Sequence, residues 1–417
     1  MALPKVHIVG AGLAGLAASL RLQDGGRDVF LHEATDHAGG RCRSYYEPAL
    51  DAEIDNGNHL LLSGNHAALD YLRAIGSEAR LMGPDRAEFE FADLESGARW
   101  RLRLNDSRLP WWILDPRRRV PGSHAREYLV ISRLLRAAPG ATIGEIIDCH
   151  GLLYKRLWHP ILLAALNTEP AAASASLAAA ILRESLMQGG RACRPLVAHG
   201  GLSAAFIDPA VLHLKARGTD IRFGRRLRSL EFDGGRVAAL DFGADKLALD
   251  AADAVVLAVP ALIAAGLVPQ LKAPTEFRAI VNAHYRIAPP PGFPAILAVI
   301  NATVEWLFSF EGRLSITISG ADRLIDVDRE TLARDLWGEI AQLTALPTEL
   351  PPWQIVKERR ATFAALPTEE ARRPPAETSW PNLVLAGDWT RTGLPATIEG
   401  AIRSGNRAAE RLRRTGL

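Results

Sequence analysis

Three glycines near the start of the 417-residue chain, Gly10, Gly12 and Gly15, are spaced as G-x-G-x-x-G, and Glu33 follows about twenty residues on. These residue types at this spacing hold a dinucleotide. Gly10 permits a tight turn, Gly12 lets the backbone approach a pyrophosphate, and Gly15 lets a helix pack closely against a strand. A carboxylate at the position of Glu33 accepts the ribose hydroxyls. Two further elements could act on the same ligand. Gly39-Gly40-Arg41 supplies a second glycine pair followed by a cation, and Gly387-Asp388 closes a late apolar run.

Each group needs an element to aim it. Val6 to Val9 form a short apolar run suited to a buried parallel strand. Leu13, Leu16, Ala17 and Leu20 then recur at helical spacing, Gly25-Gly26 end the helix, and VFLHE makes the next strand. The helix N-terminus offers unpaired amides and a partial positive charge to phosphates. Near the other end, LVLAGDWTRTGLPATIEGAIRSGN (383–406) predicts a buried strand, a Gly-Asp turn and a helix started by Pro395. Between them, IRFGRRLRSLEFDGGRVAALDF predicts strands joined at Gly234-Gly235, and ALDAADAVVLAVP a strand ending at Pro260. AILAVI, VEWLFSF and RLSITIS (295–319) predict three strands of an antiparallel sheet, and residues 125–190 read as mostly helical. No internal repeat is visible.

Composition narrows the function classes. With 48% hydrophobic and 23% charged residues the chain is globular, and its length suits two or three cores. A net charge of +2, with basic residues scattered among acidic ones, gives no case for nucleic-acid binding. Cys42, Cys149 and Cys193 lie far apart with no metal spacing, which fits a reduced cytoplasmic compartment. The first residues show no signal peptide, and no window offers the ~18 uninterrupted apolar residues of a spanning helix.

The placement of Gly39-Gly40-Arg41 and of Asp55-Asn56-Gly57-Asn58-His59 after the glycine fingerprint resembles the flavoprotein superfamily of amine oxidases and carotenoid desaturases. The resemblance implies an α/β fold: a discontinuous Rossmann-like FAD-binding domain (1–75, 196–270 and 376–417) with an α+β substrate domain (76–195 and 271–375). It implies that Gly39, Gly40 and Arg41 contact the FAD diphosphate. Gly387 and Asp388 would hold the ribityl chain and pyrophosphate, the amides of Thr397 and Ile398 would face the flavin ring, and the backbone at Leu227 would cover the adenine. The absence of a cysteine in the C-terminal flavin region argues for non-covalent FAD.

A narrower resemblance rests on DNGNHLLLSGN (55–65), RLWHPILLAALNTEPAAASASL (156–177), HGGLSAAFIDPAVLHL (199–214), VKERRATFAALP (356–367) and LAGDWTRTGLPATIEGAIRSG (385–405). Together these are similar to the squalene-associated FAD-dependent desaturases, the hydroxysqualene dehydroxylases. What that implies is reductive removal of the hydroxyl from hydroxysqualene to give squalene, with an unidentified electron donor recharging the flavin. The departing oxygen needs a proton, and His59, His159 and Glu399 are the candidates. Two other readings stay open: an oxidative desaturase or amine oxidase, and a non-enzymatic prenyl-binding protein. LPWWILDPRRRVPG (109–122) sets Trp111, Trp112, Ile113 and Leu114 beside Arg117, Arg118 and Arg119, which suits peripheral contact with an anionic bilayer or, equally, a core tryptophan pair followed by a solvated turn.

Overall fold

A computed structural model describes residues 4–414. The apolar first strand, Lys5–Val9, is buried along most of its length and lies at the centre of a five-stranded parallel sheet. Its neighbours come from across the chain. Asp28–His32 and then Asp220–Arg222 lie on one side; Ala254–Leu257 and then Leu383–Leu385 lie on the other. Residues near both ends of the chain are therefore side by side. The opening helix, Leu13–Asp24, packs against the final helix, Ile398–Arg414, where Gly405 comes so close that a Cβ there would sit 2.1 Å from the Ala14 carbonyl oxygen.

The second large sheet has seven strands, in the order Trp353–Phe363, Phe277–Tyr285, Arg313–Ile318, Trp306–Phe310, Ile296–Ile300, Glu88–Asp93, Arg99–Arg103. The three strands expected at 295–319 are its middle. Glu88–Asp93 adds parallel to Ile296–Ile300, and every other pairing in this sheet is antiparallel. Alternation along the strands gives the sheet two different faces. Val281, Ala283, Leu297, Val299, Leu307, Ile316 and Ile318 pack on the helix Arg329–Thr344, which is capped by Asp328 accepting from Thr331 N at 3.0 Å. Phe91, Trp100, Ala298 and Trp306 face the other way, into a core shared with Tyr154, Leu157, Trp158, Leu162 and Leu166.

The region 125–190 is helical in short pieces: Ala125–Tyr128, Leu129–Arg136, Ile143–Ile146, Tyr154–Trp158, His159–Leu166 and Ala175–Glu184. The 109–122 segment is part core and part surface. Trp112 and Ile113 are core residues, with Trp112 meeting Tyr128 edge-on at 5.1 Å, whereas Leu109, Trp111 and Leu114 are exposed. Arg118 and Arg119 tie the turn down through the carbonyls of Arg103, Leu104 and Ile113, and Arg117 pairs with Asp115. No helix among the described residues is long and apolar enough to cross a membrane.

Candidate active site

The glycine fingerprint makes a bare backbone floor. Gly10 sits at φ 107°, and a Cβ there would lie 2.3 Å from the Ala258 carbonyl oxygen; one at Gly15 would lie 1.9 Å from the Gly10 carbonyl oxygen. No side chain fits at either position, and strand, turn and helix can close only on glycine. Gly12 occupies the N-cap of the opening helix without a side-chain cap, so the first amides of that helix have none either. Gly39 N donates to Ala11 O at 2.8 Å, which lays the Gly39-Gly40 segment beside Gly12. Two glycine-bearing segments thus run side by side over a positive helix end, as a diphosphate requires.

Glu33 ends the second strand and turns back to this floor. Its Oε2 accepts from Ala11 N at 2.8 Å and its Oε1 from Thr35 N at 2.9 Å, with acceptor capacity to spare for a ribose. Leu227 is buried close by, between Arg225, whose N donates to Glu33 O at 2.7 Å, and Arg228, whose N donates to Asp241 O at 2.7 Å.

Arg41 and Asp388 meet across 347 positions of sequence: Arg41 Nη2 donates to Asp388 Oδ1 at 2.7 Å, and Nη1 to Ala361 O at 2.6 Å. The Asp388 carboxylate holds the guanidinium pKa above its ordinary value, against the opposing effect of burial. Yet 46% of the Arg41 side chain is accessible, although its partners lie deep in the fold. Surface of that kind belongs to a cleft wall. Gly387 N donates to Ser404 Oγ at 2.9 Å, anchoring this turn to the final helix. Thr397 caps that helix, its Oγ1 accepting from Gly400 N at 3.0 Å, and Ile398 begins it.

His59 follows an asparagine that is held rigidly. Asn58 Nδ2 donates to Ile316 O and to Thr317 Oγ1, each at 3.1 Å, while Thr317 Oγ1 donates to Asn282 Oδ1 at 2.7 Å. Burial lowers the His59 pKa, with Arg41 adding to the effect and Asp55 opposing it, so the ring is neutral at pH 7. His159 begins the helix His159–Leu166, with Nε2 3.3 Å from Glu169 Oε1. Glu399 has another task. It is 3% exposed and accepts from Ala67 N at 3.1 Å, Ala68 N at 2.8 Å and Arg403 Nε at 2.7 Å. It caps the helix His66–Ala74, and its carboxylate oxygens are engaged by two backbone amides and a guanidinium.

Arg373 was not anticipated. It is fully buried, pairs with Glu370 at 2.6 Å, and donates to Asp388 O at 3.0 Å, Thr392 Oγ1 at 2.9 Å, and the carbonyls of Trp389 and Thr390. Its place in the polar run ARRPPAE resembles an exposed turn, and only the long-range contacts set it apart.

Comparison with known proteins decides the family. The profile of the flavin containing amine oxidoreductases matches residues 13–413. A hydroxysqualene dehydroxylase of Rhodopseudomonas palustris is 57% identical over 97% of both chains, and one of Sinorhizobium fredii is 52% identical over 98% of both. The chain belongs to the hydroxysqualene dehydroxylase family of flavin-containing amine oxidoreductases. A solved putrescine oxidase double mutant superposes with a TM-score of 0.72, covering 99% of each chain at 16% identity, which establishes the fold. The cofactor of this dehydroxylase-family chain is FAD, and the bare glycine floor, the uncapped helix end and the cleft-facing Arg41 fit it. Among the described residues there is no cluster that could hold a metal ion.

Proposed function

We propose that this chain reduces hydroxysqualene to squalene with electrons held by its FAD. The observation that carries this reading is end-to-end similarity to hydroxysqualene dehydroxylases, at 57% and 52% identity. Reduced FAD supplies the hydride. The protein's part is to bind, orient and exclude water. Gly10, Gly12, Gly15, Gly39 and Gly40 would cradle the diphosphate, Glu33 the ribose and Leu227 the adenine. Arg41, Gly387 and Asp388 would hold the diphosphate and ribityl chain, and the amides of Thr397 and Ile398 would meet the ring. The cofactor domain would comprise 1–75, 196–270 and 376–417, and the substrate domain 76–195 and 271–375. The sheet face carrying Phe91, Trp100 and Trp306 would form one wall of a dry chamber for a triterpene-length chain. Neutral His59 can hydrogen-bond a hydroxyl there but is a weak proton source.

The test is the direction of electron flow. Replacing C–O by C–H is a two-electron reduction, so anaerobically reduced protein should be reoxidised by hydroxysqualene with one squalene formed per flavin. Bleaching of the oxidised protein by squalene or a carotene precursor, with no reaction of the reduced protein, would make it a desaturase instead.

The substrate has almost no aqueous solubility, which favours a docking site on a bilayer. Leu109, Trp111, Leu114 and Leu129 are each about 60% exposed, and Arg117 is 89% accessible in its side chain. Residues 105–136 carry seven arginines against three carboxylates. Exposed aromatic and aliphatic groups beside excess positive charge suit the headgroup region of an anionic membrane.

A further inference from the structure

The departing hydroxyl needs a proton that neither His59 nor Glu399 is suited to give. The strand Trp306–Phe310 points to another source. Trp306 stands opposite Thr317, whose Oγ1 accepts from Asn58, the residue before His59. The indole of Trp306 is 6% exposed, and its N–H has no partner among the described residues. The indole N–H groups of Trp100 and Trp158, in the same core, are unpartnered as well, so this side of the sheet has donors open to an acceptor. Glu305 precedes Trp306 and is half-buried. Its Oε2 accepts from Ser319 N at 2.8 Å. The Ser319-Gly320 turn abuts the helix bearing His159: Gly320 N donates to Asn167 Oδ1 at 2.7 Å, and a Cβ on Gly320 would lie 3.4 Å from Leu163 Cδ1.

We propose that Glu305 is the acid that protonates the departing hydroxyl, at a polar end of the apolar chamber completed by the Trp306 indole and His159. This rests on the dehydroxylase reading. The electron balance is simple. The allylic C–O bond breaks, a hydride from the reduced cofactor makes the new C–H bond, and the Glu305 proton joins the leaving oxygen as water. The carboxylate left behind regains its proton from solvent, toward which the partly accessible His159–Glu169 pair lies. Burial raises the Glu305 pKa to about 7, with the Ser319 amide, Arg323 and His159 only partly opposing it. A substantial fraction of the protein therefore carries the neutral acid at working pH, the condition for general-acid catalysis.

The test compares wild type, Glu305→Gln and Glu305→Asp in single-turnover reoxidation of the reduced holoenzyme by hydroxysqualene across pH. The wild-type rate should fall as pH rises through about 7, because the reactive form is the protonated one. E305Q should be slower by about 100-fold or more, without that pH dependence and with unchanged flavin content, while E305D should recover part of the rate. Infrared difference spectra, which need no turnover, should show a protonated-carboxyl band in wild type below pH 7 that E305Q lacks. An active wild type alongside an E305Q of equal rate, or a wild type without that band, overturns the acid role alone. A wild type inert toward hydroxysqualene overturns the substrate reading, and the acid role with it.

Discussion

Arg373→Met is the most informative perturbation of the cofactor cleft, because it removes a cation that does not itself face the cleft. Methionine is apolar and reproduces the arginine stem, so the stem's packing is largely kept, whereas the cation–π contact of the guanidinium with Phe363, 4.7 Å from the ring centroid, is lost. Also lost are the ion pair with Glu370 and the donors to Asp388 O, Trp389 O, Thr390 O and Thr392 Oγ1. Removing one member of a buried charge pair costs about 3–5 kcal/mol, because its partners are left desolvated and unpaired. An unfolding entropy of ~2.1 cal/mol/K per residue over a chain of this length converts that loss to a fall in Tm of roughly 3–6 °C. The 387–392 turn should also loosen, and flavin occupancy should drop although position 373 is not expected to touch FAD. Thermal unfolding, followed together by circular dichroism and flavin fluorescence, reads both effects. Arg373→Lys should be intermediate, since an ammonium keeps the charge but cannot serve carbonyls in several directions. An R373M protein that melts within 1 °C of wild type and holds its full flavin would refute the reasoning.

Four further outcomes are expected. Acid denaturation should release all of the flavin from the chain, and Asp388→Ala should lower FAD occupancy by leaving Arg41 without its carboxylate partner; flavin that stays with the denatured protein would show a covalent bond. The double substitution of Trp111 and Leu114 by Ser should weaken sedimentation with anionic liposomes at low salt while leaving the flavin spectrum intact, whereas Trp112→Ser should destabilise the fold by a few kcal/mol because that ring is core; a parent protein that ignores such liposomes ends the membrane proposal.

Much of this protein is written in short-range patterns. The strand, glycine triplet, helix and second strand at residues 5–32 are legible because each depends on local sterics: no side chain fits at Gly10 or Gly15, and apolar runs become buried strands. The middle of the large sheet at 295–319 and the late strand-turn-helix are legible for the same reason. Tertiary structure alone decided the charges. Whether a carboxylate caps a helix, pairs with an arginine or keeps its proton depends on which distant groups surround it, and no periodicity encodes that. Glu399 at the start of a helix looks from sequence like a cleft acid, but two amides from Ala67 and Ala68 claim it. Glu305 beside a tryptophan looks like an ordinary strand end, but burial raises its pKa to about 7. Arg373 in a polar run looks solvated, yet it is sealed under the turn that holds Asp388. Local sterics set the cofactor fold, and long-range desolvation chose which ionisable groups could do chemistry in it.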